Sequence, residues 1–493
     1  MTDYRFTVTL VLRAPIISQA AGGRTLGVDA AALRAEDHPA LPGSLIRGNL
    51  RHAWEKFAVS AQDGNGVPCM KEIRNWLGFK SKDGSNDEPQ RARLQFAPYW
   101  KALAGSSEGT RHRIKLNPEK GTVEDRHLQT IESPFPAGAE VAYRGYIDAN
   151  CVDEAERLER WIRKGLEFTP ALGAFKGTGF GRLIEVCVKR MPRPAAPLKP
   201  VPQGKTRFGL RLTLDRPFCF AKHHTPDSNR YESEEFIPGG AILGTMARRL
   251  FPKSSDATNS DDGWQALRAH FNAIRVTHAF PAGENGKRPV VLPLSLVFDP
   301  KQDDKIHDVA LKDKPELING RAPIFQIDWK DKHREKAGAM SGWPGLSRVI
   351  TVRTEISKEK RIAEEGKLFA IAAIVPQNRF WLADVDLGAV PKAERDAVAT
   401  VLQDLLALGL DMLGKTKATA RVEFMGEPIT PTAESRDLLV DGIAIITLQS
   451  AARLLPNPGD ILPTNGGNQL LELYKTAWRE LSECTLELQR FYA

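Results

Sequence analysis

Leu41-Pro42-Gly43-Ser44-Leu45-Ile46-Arg47-Gly48 and Ile237-Pro238-Gly239-Gly240-Ala241-Ile242-Leu243-Gly244 spell nearly the same phrase, and each opens a segment with apolar residues at helical spacing. Pro42 and Pro238 lie a domain's length apart, too far for a solenoid period. The chain is therefore expected to contain one building block twice.

The flanking patterns agree. Phe6, Val8, Leu10 and Leu12 alternate with Arg5, Thr7 and Thr9, which predicts a half-buried strand ended by Ala14-Pro15. Phe208, Leu210, Leu212 and Leu214 repeat the alternation up to Arg216-Pro217. After the first Pro-Gly turn, Ser44 reads as an N-cap, and Ile46, Leu50, Ala53, Trp54 and Phe57 form the stripe of an amphipathic helix, with Arg47 and Arg51 on another face. In the second copy Ile242, Met246 and Leu250 form the stripe, Arg248 and Arg249 supply charge, and Pro252 ends the helix. Gly240 stands there in place of the capping serine.

Each copy closes on a basic turn that leads into a strand: Lys176-Gly177-Thr178-Gly179-Phe180-Gly181-Arg182 in the first, Lys415-Thr416-Lys417-Ala418-Thr419-Ala420-Arg421 in the second. The second copy is longer, and its extra material is expected between Pro252 and Gly345. The organisation predicted is a first domain over 1–191, a proline-rich linker over 192–205, a second domain over 206–430, and a partial repeat or docking segment over 431–493. Ile443 to Leu448 is expected as a third opening strand, and Leu470 to Leu488 as a helix.

Hydrophobic residues make up 42% and charged residues 26% of the 493, an ordinary globular composition. Neither a signal-peptide pattern at the N-terminus nor an apolar run of spanning length is read, so a cytoplasmic protein without membrane attachment is expected. Five scattered cysteines without a CxxC pair argue against a disulfide framework and a structural zinc site. The net charge of +8 favours a polyanionic partner, and the cations gather beside glycine and hydroxyl residues. Gly177 to Gly181 lacks the Lys-Ser/Thr ending of a P-loop and leads into a strand, which argues against a mononucleotide site.

A strand, a Pro-Gly-Ser turn, a basic helix, an internal hairpin and a glycine-rich closure, in that order, resemble the RAMP superfamily of CRISPR proteins. The first half is most similar to the backbone subunit of type III effectors, through Gly27-Val28-Asp29, Leu41 to Arg51, Arg93-Leu94-Gln95-Phe96, Arg113-Ile114-Lys115-Leu116, Pro136 to Glu140 and the Gly177–Gly181 loop. The second is similar to the larger proteins of type III-D systems, through Phe236-Ile237-Pro238-Gly239, Arg275 to Pro281 and Gly366-Lys367-Leu368-Phe369. It departs in its closure, where lysines and threonines replace most glycines, and in having no Gly-Val-Asp equivalent.

The resemblance implies an α+β chain of two tandem ferredoxin-like, RRM-like domains with hairpin insertions, or thumbs, around 111–140 and 350–375. It implies antiviral defence, with the guide (crRNA), complementary target RNA and other type III subunits as partners. A guide varies in sequence, so it must be held by its phosphates, through backbone amides, hydroxyls and cations. Gly43, Ser44, Arg47 and Arg51 suit this in the first copy, with Lys176, Thr178 and Arg182 opposite. Arg248, Lys415, Lys417 and Arg421 are their counterparts. The bland alternative makes the turns mere helix starts and the arginines a solvated face.

Asp29 occupies the position where the resembling subunits carry the aspartate that cleaves target RNA, with Asp37 as the fallback. Scission by 2′-hydroxyl attack needs in-line geometry and charge stabilisation. Holding Mg²⁺ or positioning the nucleophile suits an aspartate better than unaided proton abstraction. Two other roles stay open: a non-catalytic scaffold or cap of the guide filament, and a guide-processing endoribonuclease. For the latter the histidines His112, His127, His223 and His224 give no convergent pair. Asp227, Glu232, Glu234 and Glu235 read as a solvated acidic loop rather than a second metal site.

Overall fold

The computed structural model describes residues 2–19, 28–60, 66–79, 89–106, 109–114, 119, 122–124, 128–152, 154–222, 228–251, 263–302, 305–310, 317–318, 320–356, 363–429, 439–440, 442–450 and 466–491. Gly27, His127, His223, His224 and Asp227 lie outside them.

The first half runs β1 (Thr2–Arg13), β2 (Arg34–Ala35), β3 (His38–Pro42), α1 (Gly43–Ser60), α2 (Met70–Leu77), β4 (Leu94–Phe96), β5 (Tyr99–Ala102), β6 (Thr110–Arg113), β7 (Gln129–Glu132), β8 (Glu140–Val152), α3 (Ala155–Glu167) and β9 (Arg182–Pro192). Its main sheet has the order β2-β3-β5-β8-β1-β9, and β4 also pairs with β8. Taking β1, α1, β4/β5, β8, α3 and β9 as the core elements gives a βαββαβ unit whose first strand is flanked by its third and fourth, the ferredoxin-like arrangement.

The second half repeats it: β10 (Arg207–Leu214), β11 (Arg230–Glu232), α4 (Gly239–Leu250), α5 (Gln265–His270), β12 (Arg275–Val276), β13 (Phe280–Pro281), β14 (Leu296–Phe298), β15 (Ile306–Asp308), α6 (Asp331–Met340), β16 (Arg348–Ile356), β17 (Ala363–Ile374), β18 (Trp381–Asp386), α7 (Arg395–Ala407), β19 (Leu410–Leu413) and β20 (Ala418–Met425). The sheet order β12-β18-β10-β20-β19 places β10, as β1 is placed, between its antiparallel partners β18 and β20. The extra material is β14, β15 and α6, which share a small core of Phe298, Trp329 and Ala337.

Alternation explains both sheets. Phe6, Val8, Leu10 and Leu12 of β1, and Phe208, Leu210, Leu212 and Leu214 of β10, all lie buried under the helices of their half. On α1, Ile46, Leu50, Ala53 and Trp54 are buried as the stripe predicts, each large side chain contributing about 1.5–3 kcal/mol. They meet α3, where the Trp54 indole donates to the Trp161 carbonyl at 2.9 Å. A Cβ on Gly165 would come within 2.6 Å of Leu50, so glycine sets how closely these helices cross.

Two expectations change. Ile443 to Leu448 forms no third opening strand: Leu439–Val440 and Ile443–Ala444 make a two-stranded hairpin (β21, β22), and α8 follows over Gly466–Leu481. Ser44 is not an N-cap, because α1 already begins at Gly43 and leaves Ser44 exposed in its first turn. Among the described residues no helix is long and apolar enough to cross a membrane.

The halves are pinned by buried charge. Arg193, just past β9, is 4% exposed in its side chain and pairs with Asp411 of β19 at 2.7 Å. Asp411 also receives Asn150 at 3.0 Å and Arg249 at 3.3 Å, while Arg249 reaches Asp3 at 3.0 Å. Arg5 grips Asp148 at 2.7 and 2.8 Å, and Arg193 approaches the same carboxylate at 3.5 Å. Burial pushes the Asp411 carboxyl upward, but the Arg193 guanidinium hydrogen-bonded to it, helped by Arg249 and Asn150, holds it down at about 2. Arg193 is held protonated, its burial outweighed by Asp411, Asp148 and Asp3. The proline-rich connector is therefore anchored at its start.

Candidate nucleic-acid interface

Ile17, Ala30, Ala32, Ile131 and Phe180 form a small core outside the main sheet, with Ala174 and Phe175 packed against it. It gathers three separate pieces of chain: the Asp29 segment, the β6–β7 hairpin and the glycine-rich closure. The Asp29 amide donates to the Thr130 carbonyl at 2.9 Å, and the Thr130 amide donates back to the Asp29 carboxylate at 2.7 Å. Asp29 is exposed but not loose; one carboxylate oxygen is committed to the hairpin. His112 Nδ1 lies 3.2 Å from the Thr130 hydroxyl, and the Arg113 guanidinium covers the Phe175 ring at 5.0 Å. The predicted first thumb is thus narrower than 111–140, with its paired strands at 110–113 and 129–132.

The closure turns tightly. Phe175 has φ 56° and Gly179 φ 86°, and a Cβ on Gly181 (φ 64°) would fall 1.9 Å from the Leu172 carbonyl oxygen. Lys176, Thr178 and Arg182 are exposed around it, and the Thr178 hydroxyl donates within the turn to Phe175 at 2.9 Å. Asp37 sits with Glu36 at positive φ in the β2–β3 turn, and its carbonyl accepts from Arg34 at 3.1 Å. An aspartate adopts this left-handed turn conformation more readily than most residues.

The Pro-Gly turns have a packing role. The buried Gly43 amide donates to the Pro98 carbonyl at 2.9 Å, and a Cβ there would lie 2.0 Å from the Ala97 oxygen. In the second copy the Gly239 amide donates to His278 Nδ1 at 3.0 Å, and a Cβ would lie 2.2 Å from the Val276 oxygen. Both glycines let a helix start crowd the next core strand. That role explains the repeated phrase and commits the Gly43 amide within the protein.

The cations divide. Arg47 donates to the Leu77 carbonyl at 2.5 Å, and Arg51 to Leu77 and Gly78 at 2.6 and 2.8 Å. They cap the C-terminus of α2 and do not wave from a solvated face. Arg248 faces the inter-half joint, where it donates to the Asp411 carbonyl at 3.4 Å. Lys415 places its ammonium over the Tyr231 ring at 3.8 Å, and Arg421 is exposed on β20. Lys417 is drawn toward the first half: Gln95 of β4 donates to its carbonyl at 3.3 Å and to the Thr419 hydroxyl. Although part of its side chain stays exposed, the Lys417 ammonium is pushed down to about 8 by lost water, then by Arg47, Arg353, Arg51 and Arg91.

So the fold ties Asp29 to Thr130 of the hairpin, sets Arg113 of the same hairpin over Phe175 of the closing loop, and draws Arg47 and Arg51 toward Lys417, while Arg248 is turned to Asp411. Sequence reasoning did not pick out Arg91, Arg353 or Gln95 as neighbours of Lys417. No local pattern marks them, because only the docking of the two halves makes them neighbours.

Glu232 and Glu235 form ion pairs with Arg230 at 2.9 Å and Arg348 at 2.7 Å. Among the described residues no group of three His, Cys, Asp or Glu side chains is placed to hold a metal. The Asp29 carboxylate would offer a divalent cation one ligand, the others having to come from outside the described residues.

The RAMP superfamily model matches residues 15–184. The matched span takes in the Asp29 segment, the Pro-Gly turn, both strands of the hairpin and the glycine-rich closure. No curated protein matches the chain.

Proposed function

We propose that this chain is a guide-RNA-binding subunit of a type III CRISPR effector that holds the guide by its phosphates and cleaves complementary RNA at Asp29. The observation that carries the reading is the small core of Ile17, Ala30, Ile131 and Phe180, which ties the Asp29 segment to the hairpin bearing His112 and Arg113 and to the closing loop bearing Lys176, within the matched region. A net charge of +8 supplies the field a polyanion needs. The Asp29 carboxylate oxygen not held by Thr130 is the group for a metal or for the attacking hydroxyl, and the cations of the hairpin and closing loop are the groups for the phosphate.

The test is recovery and sequencing of the RNA that copurifies with the protein, followed by titration of the purified protein with unrelated single-stranded RNAs across a range of salt. Repeat-derived guides should dominate the copurified RNA, and log K should fall with log[salt] at about −0.7 per phosphate contacted, whatever the sequence. No RNA, or affinity indifferent to salt, would sink the reading. Copurifying guides without any cleavage of complementary RNA by the assembled complex would leave the scaffold role.

A further inference from the structure

We propose that the outer edge of β9 is a self-pairing surface, at which a second copy of this chain adds its own β9 antiparallel about a twofold axis through Cys187. The inference stands apart from the RNA-binding reading above and does not need it.

β9 ends the main sheet of the first half, with β1 on one side of it. Among the described residues only its start is covered on the other side, where Arg182 bridges to Ala171 and the Leu183 amide donates to the Pro170 carbonyl at 3.0 Å. Just past the strand the Arg193 amide donates inward to the Asp3 carbonyl at 2.9 Å, so the alternation of the ladder turns the backbone groups of Val186, Val188 and Arg190 outward. The Val188 carbonyl accordingly meets no strand and is approached by the Arg163 side chain at 3.3 Å, which leaves its second lone pair open. A register shift opposite Val11 and Leu12 bounds the open stretch at one end, and Pro192, which has no amide to offer, bounds it at the other. Ile184 and Met191, 40% and 43% exposed, stand at its two ends and gain cover from an added strand.

The stretch is its own complement. Glu185-Val186-Cys187-Val188-Lys189, set antiparallel against itself, places Glu185 opposite Lys189 twice, Val186 opposite Val188 twice and Cys187 opposite Cys187. Val188 is buried on the helix side, so Glu185, Cys187 and Lys189 share the other face of the sheet. Within one strand the two exposed charges lie about 13 Å apart, too far to pair with each other. A slip of two residues, the smallest that keeps every side chain on its face, loses both ion pairs, so the charges fix one register. A strand of unrelated sequence would meet the same backbone groups but not this charge pattern, which is why a second copy is the occupant. Pairing about a twofold axis uses up both β9 edges and closes the assembly at two copies.

The experiment is sedimentation velocity on the full chain, after nuclease treatment so that no RNA bridges two molecules. Wild type should show a concentration-dependent monomer–dimer equilibrium. Glu185→Lys should weaken it by about tenfold or more, because two attractive pairs turn repulsive at once, and Glu185→Lys combined with Lys189→Glu should restore it. A short bis-maleimide, adding one Cys187 thiol to each ring, should link the wild-type dimer, and mass spectrometry should find the Cys187–Cys187 peptide. A chain that stays monomeric, or a dimer that disappears with nuclease, overturns the proposal. A dimer indifferent to Glu185→Lys, or one linked only through other cysteines, places the contact elsewhere and overturns it too. Loss of the dimer in Glu185→Lys without recovery in the charge-exchanged variant, both melting as wild type does, rules out the antiparallel register.

Discussion

Arg193 meets Asp411 through both terminal nitrogens, Nη1 to Oδ2 at 2.7 Å and Nη2 to Oδ1 at 2.8 Å, and this bidentate pair joins the connector to the far sheet. Asp411→Ala leaves Arg193 and Arg249 buried with only Asp3 and Asp148 to offset them, which should cost about 3–5 kcal/mol. Denaturant unfolding of the full chain measures it; a loss below ~1 kcal/mol would mean that the joint is dispensable.

Acid should act on the same pair. The folded Asp411 carboxyl sits at about 2, below the unfolded value near ~3.9, so its contribution is complete above pH ~4 and fades as pH falls through about 2. An acid titration of wild type should show this added loss, and Asp411→Ala should lack it. Identical acid limbs in the two proteins would argue against a depressed carboxyl.

Gly43 and Gly240 lie at the starts of the two repeated helices and should respond oppositely to alanine. Gly43→Ala drives a Cβ to 2.0 Å from the Ala97 oxygen and should lower stability by several kcal/mol. At Gly240 a Cβ meets open space in helical backbone, so Gly240→Ala should stabilise by about 0.4–1 kcal/mol. Melting temperatures that shift in the same direction would contradict the close-approach role of the first Pro-Gly turn.

Asp29→Asn keeps an acceptor for the Thr130 amide, so the fold and guide binding should survive. Cleavage of complementary RNA at one phosphate should disappear; in wild type it should stop with EDTA and resume with Mg²⁺. Cutting at the unchanged phosphate by Asp29→Asn would move the chemistry elsewhere, with Asp37→Asn the next variant to assay.

Lys176→Glu combined with Arg182→Glu places two negative charges where exposed cations flank the closing loop. Single-stranded RNA affinity should fall by about 1 kcal/mol or more per lost contact, and the salt slope should shrink by about 0.7 for each phosphate released. Arg248→Ala, facing Asp411, should change stability more than it changes that slope.

The repeat was legible because the alternation of β1 and β10 and the helical stripe of α1 are local patterns, decided by residues two to four positions apart. Which member of a pattern does what was less so. Gly43 and Ser44 read as a phosphate cradle and a cap, yet Gly43 is set by its clash distance to Ala97, a residue far along the chain. Arg47, Arg51 and Arg248 look alike as helix arginines. What separates them is the C-terminus of α2 for the first two and Asp411 for the third. Arg193 sits among prolines that announce a spacer, and nothing near it in sequence announces its partners Asp411 and Asp148.

The ion pairs of the joint set Asp3, Asp148 and Asp411 against Arg5, Arg193 and Arg249 and are largely shielded from solvent. The cations around Lys417 are unbalanced and partly open. A single reagent should therefore separate the two systems. At about 1 M salt the Debye length shrinks to ~3 Å, which strips a polyanion from exposed cations while barely reaching buried pairs. Washing in concentrated salt should yield the bare protein with its halves still locked, ready to be reloaded with an RNA of chosen sequence.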